Sequence, residues 1–140
     1  MMKTKLWLLA LAALLLGAVP ARAHHSFAAE FDANRPVTLR GTLTKLEWVN
    51  PHGWIHLDVK GPNGTVVNWA VETGGVNVLF RRGLRATDFP SGVEVEIKGY
   101  RARNGKEIAN GASVKFADGR DFFLGSSGTG APTPPGVREQ

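Results

Sequence analysis

The 140-residue chain contains no cysteine. That absence removes disulfides, thiolate metal sites and thiol nucleophiles together. Its only two methionines are Met1 and Met2, so no thioether ligand occurs later in the chain. A strong basic excess is lacking as well. The formal net charge is +5, but Lys3, Lys5 and Arg22 lie in the leader, and beyond them 14 basic residues face 12 acidic ones. Nucleic-acid binding is therefore not expected, because it needs a dense basic footprint. The nucleophile elbow, the P-loop, the HExxH pair and the glycine-rich cofactor loop are all missing, and an enzyme is not expected.

Long apolar runs are missing too, with one exception. Leu6–Val19 is a run of 14 apolar or small residues behind Lys3 and Lys5. A membrane helix needs about 20. Pro20 comes next, then Ala21-Arg22-Ala23, the small-x-small pattern of a signal-peptidase site. The expectation is a cleaved signal peptide over 1–23, a periplasmic or secreted protein, and no membrane span after cleavage. The remaining 117 residues suit one domain with one modest core.

Strand patterns dominate the chain beyond the leader. "VTLRGTLTKLEWV" (37–49) changes parity between Leu43 and Leu46 and holds Gly41, which predicts a long, bent strand with a bulge. "WIHLDVK" (54–60) alternates cleanly, with Ile55, Leu57 and Val59 on one face and Trp54, His56 and Asp58 on the other. "GPNG" leads into "TVVNWAVE" (65–72), where Val67, Trp69 and Val71 point inward. "GGVNVLFRRGL" (74–84) shifts to helical spacing, and "VEVEIKGY" (93–100) and "EIANGASVKF" (107–116) return to alternation, with "RDFFL" beyond the Asp118-Gly119 turn. Val67, Trp69, Val71, Val93, Val95 and Ile97 are the expected core. The predicted class is all-β with minor α: an OB-like, five-stranded Greek-key barrel over 37–124, with one short helix between strands three and four. An SH3-like barrel or small sandwich shares the strand count.

The flanks differ in kind. Residues 24–36 lack periodicity but carry Phe27 and Phe31, and read as an extended N-terminal arm. Residues 125–140, "GSSGTGAPTPPGVREQ", hold too little apolar surface to offset their ordering entropy and read as a disordered tail.

Four stretches carry a family resemblance: "AHHSFAAEFD" (23–32), "GTLTKLEWVNPHGWIHLDV" (41–59), "NWAVE" (68–72) and "VEIKGYRARNG" (95–105). With its His-His-Ser-Phe start and Glu-Trp-Val-Asn-Pro-His run, the chain resembles a family of small exported bacterial proteins classed as a domain of unknown function. The resemblance implies export and a single β-rich domain. It brings no activity and no catalytic residues.

The chemistry then rests on the four histidines, His24, His25, His52 and His56, which fall in two short segments. Cleavage after Ala23 makes His24 the N-terminal residue, with a free amine beside its imidazole. Cleavage one or two residues earlier places a histidine at position three. Amine, amide and imidazole nitrogens form a planar set that suits Cu(II) or Ni(II). Cu(II) is the candidate cofactor, with His24 and His25 binding and His52 or His56 completing the site. Asp32, Asp58 and Glu72 are further oxygen donors. The bland reading makes the first pair a solvated arm and the second a polar strand face. Trp54 and Tyr100, exposed by pattern, offer a thin platform for stacking a base or sugar. The functional expectation is a non-enzymatic binding protein for a metal ion or small periplasmic ligand. Its rivals are an envelope module that binds an unknown protein, and a copper-dependent oxidase with an N-terminal histidine brace.

Overall fold

The computed structural model describes residues 26–125 and 129–137. The expectations about the leader, His24 and His25 fall outside these residues. The elements run α1 (Phe27–Glu30), β1 (Phe31–Glu47), β2 (Trp54–Lys60), β3 (Val66–Glu72), α2 (Val76–Arg81), a 3-10 turn (Ala86–Asp88), β4 (Glu94–Ala102), β5 (Ile108–Phe116) and β6 (Asp121–Phe123). Among the described residues the chain is mostly β, with six strands rather than the expected five. The sixth is only three residues long, too short for alternation to reveal. No helix among the described residues is long and apolar enough to cross a membrane.

β1 organises the sheet because it pairs on both sides. Its first half runs antiparallel to β4, Pro36–Thr42 against Glu94–Tyr100, and its second half antiparallel to β2, Gly41–Glu47 against Trp54–Val59. Gly41 lies where the two halves meet and faces both Val59 and Val95. A Cβ there would stand 2.5 Å from the Asp58 carbonyl oxygen, so the crossing tolerates only glycine. The expected bulge comes at once, between Leu43 and Lys45. The strand order is β3-β2-β1-β4-β5-β6, and β3 also pairs β5 in parallel.

Inward alternation builds the main core. Leu43, Ile55, Leu57, Val71, Ile97 and Val114 are buried by the strands, with Leu79 of α2 and the loop residues Leu84 and Phe89 closing it. Trp69 is core as expected, 8% exposed, with the Arg101 guanidinium 4.9 Å from its ring centroid. Val93 is only partly buried but packs on the core. Val67 breaks the expectation. It is 38% exposed, because β5 joins β3 only from Ala70 onward and nothing described covers the strand's first half.

A second, smaller cluster sits on the outer face. Phe27, Phe31, Tyr100 and Ala102 are buried there, with Ile108 and Ala131 packed against them. The segment read as an extended arm thus holds one helical turn and the start of β1. Tyr100 corrects the stacking platform. Its parity is outward, yet it is 5% exposed, because Phe27 of α1 meets it edge-on with ring centroids 5.4 Å apart. The segment read as a disordered tail returns to this cluster: Phe27 N–H donates to the Thr129 carbonyl at 3.0 Å, and Pro134 is buried.

Candidate metal-binding site

His52 lies in the turn between β1 and β2, whose Asn50–Pro51 peptide is cis. The turn is held by the segment after β3. Thr73 N–H donates to the Gly53 carbonyl at 2.9 Å, and Gly53 N–H donates to the Gly74 carbonyl at 3.4 Å. Contact is so close that a Cβ on Gly75 would stand 2.5 Å from the Pro51 carbonyl oxygen. This packing brings His52 Nδ1 to 2.9 Å from Glu72 Oε1 at the end of β3, with the two side chains 25% and 12% exposed. An ionised carboxylate only accepts, so it favours a hydrogen on Nδ1; in the neutral imidazole that tautomer leaves the lone pair on Nε2.

The His52–Glu72 pair opens on a small cavity of about 10 Å³. Its polar walls are Ser26, Glu30, His52, Glu72, Asn110 and Thr129, and Phe27 and Phe31 complete it. That is room for one atom-sized occupant, not for an organic ligand.

His56 stands elsewhere. It projects from β2 on the face of Trp54 and Asp58, and its Nε2 is 2.9 Å from Glu47 Oε1. Lys45 Nζ donates to the same oxygen at 2.8 Å. Lys45 and then His56 hold the Glu47 carboxyl below the usual glutamate range. The two described histidines therefore do not share a carboxylate or a cavity. Asp58, the other donor on that strand, accepts from Asn68 Nδ2 at 2.8 Å. Among the described residues, no three His, Asp or Glu side chains come together in a group that could hold a metal ion.

Two larger concavities lack histidine. One, of about 280 Å³, lies beside Trp54, between α1 and the β4–β5 turn. The other, of about 500 Å³, crosses β1 near Gly41. Its rim mixes Arg40, Lys60 and Lys115 with Asp58, Glu94 and Glu96, and Arg40 Nε donates to Glu96 at 2.6 Å. With both signs balanced, it selects no charge class. Glu72 is legible in the sequence only as one oxygen donor among several. Its pairing with His52 comes from two loops meeting, which no spacing in the sequence encodes.

A family described as "Family of unknown function (DUF6152)" matches residues 12–112. The chain belongs to this family. The DUF6152 match spans all four histidines and every element through the first half of β5, and it ends before β6. No curated protein and no solved structure matches the chain.

Proposed function

We propose that this DUF6152 protein is an exported, periplasmic or secreted binding protein rather than an enzyme, and that it binds Cu(II) where its mature N-terminus meets His52. The fold reading that goes with it is an OB-like barrel. The pairings β1–β2, β2–β3, β3–β5, β5–β4 and β4–β1 lead round and back to β1, and α2 falls between β3 and β4.

One observation carries the metal reading: Ser26, the first described residue, lines the same cavity as His52 and Glu72. Successive Cα atoms lie about 3.8 Å apart. His25 is one such step from Ser26 and His24 two, so chain connectivity keeps both within reach of that cavity. Removal of 1–23 frees the His24 amine. The amine, its imidazole, His25 and His52 Nε2 then make an all-nitrogen set, which favours Cu(II) over hard cations. Glu72 fixes the His52 tautomer and ring orientation, the usual task of a carboxylate behind a metal-binding imidazole.

The test has two parts. Intact mass of the exported protein is expected to start at His24; a retained Met1 removes the amine and the proposal with it. Competitive Cu(II) titration then compares the mature protein, its His52→Ala variant and a synthetic peptide covering 24–32. The peptide and the variant are expected to bind at least about 10-fold more weakly than the protein, or about 1.4 kcal/mol. Equal affinity for all three would mean that the barrel supplies no ligand.

A further inference from the structure

β3 is paired along its whole length on one side only. β2 pairs it from Val66 to Glu72, whereas β5 pairs Ala70–Glu72 and stops. The direction of the bare groups can be read from Ala70. Its N–H donates to the Glu107 carbonyl at 3.0 Å and so points away from β2. Strand backbone groups alternate with a period of two. Asn68 and Val66 therefore present their N–H and C=O groups outward as well, and no described strand pairs them there.

Side chains mark the same stretch. Val66 is 56% exposed and Val67 38%. Val67 shares the inward face with Trp69 and Val71, both buried, so it is a core-type residue that no described residue covers fully. Thr65–Ala70 carries no charged residue and no proline. Exposed strand edges are ordinarily blunted by lysine, proline or a bulge; this one has none of these.

We infer that this edge pairs with its own copy, antiparallel, about a two-fold axis through Val67. Val66 then faces Asn68 of the second copy, and the reverse. Those two residues are the ones whose backbone groups point outward, so the register satisfies them with about four hydrogen bonds. Val67 meets Val67 in the intervening non-hydrogen-bonded pair, where Cα atoms approach to about 4.5 Å and side chains touch. A two-fold contact sets each residue against its own sequence, so any charge near the axis would meet its like. The neutrality of this stretch is what suits it to a second copy rather than to a charged peptide. One strand pair buries less than the roughly 1,000 Å² of a stable interface. The dimer is therefore weak and reversible, and it is independent of the metal site.

Sedimentation equilibrium over a wide concentration range tests this, with the mature protein, Val67→Lys, and Val49→Lys as a control on an exposed valine outside β3 (49% exposed). The wild type and Val49→Lys are expected to move from monomer toward dimer mass together. Val67→Lys is expected to raise the dissociation constant at least about 10-fold. Hydrogen exchange on the wild type needs no variant. The Val66 and Asn68 amides are expected to slow with rising concentration, and the Val67 amide, already turned toward β2, to stay unchanged. A wild type that remains monomeric with concentration-independent exchange overturns the inference. So does a dimer that Val67→Lys leaves intact, which would put the interface on another surface.

Discussion

Among the described residues, two histidine–glutamate pairs have the same 2.9 Å separation and different surroundings. His56 and Glu47 lie diagonally across neighbouring strands, where His56 faces Lys45 and Glu47 faces Trp54, and Lys45 shares the carboxylate. This is a surface ion cluster that the sheet brings together without further help. His52 and Glu72 instead come from a turn and a strand end that two interlocked loops press together, and they face a cavity whose wall includes the first described residue. An imidazole–carboxylate contact alone therefore says little about a site. What distinguishes the pairs is what else the chain delivers beside them.

The largest effect is expected where that delivery is cut. Phe27→Ala removes the ring that anchors α1 on Phe31 and Tyr100. Denaturant unfolding is expected to show a loss of roughly 3 kcal/mol, the low end for a buried phenylalanine, because the cluster is small. Cu(II) affinity of the folded variant should drop to that of the free 24–32 peptide. Wild-type affinity in a destabilised Phe27→Ala protein would show that the arm's position does not matter.

Next comes Glu72→Gln, which keeps the shape but lets the side-chain amide donate toward His52 Nδ1. Loss of such a supporting carboxylate typically weakens metal binding by about 10-fold or more. Titration beside wild type decides it, and an unchanged constant would reduce Glu72 to an incidental neighbour.

His56→Ala is expected to change Cu(II) affinity by less than about 2-fold and stability by about 1 kcal/mol or less, as for a half-buried side chain on the sheet surface. A loss matching that of His52→Ala would erase the distinction between the pairs.

The smallest effect concerns Glu47. Lys45 and His56 hold its folded carboxyl below the ordinary value. Its stabilisation is thus present above the ordinary glutamate range, near about 4.3, and is lost as pH falls through the lowered folded value. Glu47→Gln is expected to flatten slightly the acid limb of a stability–pH curve at low salt, and to do nothing once salt screens the exposed cluster. Identical acid limbs at low salt would rule the contribution out.

Much of the strand pattern is legible in the sequence because it is local. Ile55 and Leu57, or Val95 and Ile97, alternate within a few residues, and Gly41 with the parity change announces the bulge just beyond it. What stays hidden is non-local. Tyr100 has outward parity, but its burial depends on α1 and the chain after Thr129, which only folding brings over it. Val67 has core parity, but its exposure depends on where β5 stops. The sequence offers four histidines as candidate nitrogen ligands, yet which of His52 and His56 lies beside Ser26 depends on two loops distant in sequence.

The contact between the Phe27 N–H and the Thr129 carbonyl also bears on how the protein is handled. It ties the chain just after His25 to the described stretch that begins at Thr129. An affinity tag ahead of His24 would cap the amine. A polyhistidine tag after Gln140 would add a row of imidazoles that compete for Cu(II). The tight turn Asn104–Lys106 between β4 and β5 borders the Trp54 concavity rather than the His52 cavity. A tag inserted there, or a proteolytically removable one, keeps purification chemistry from being mistaken for the protein's own.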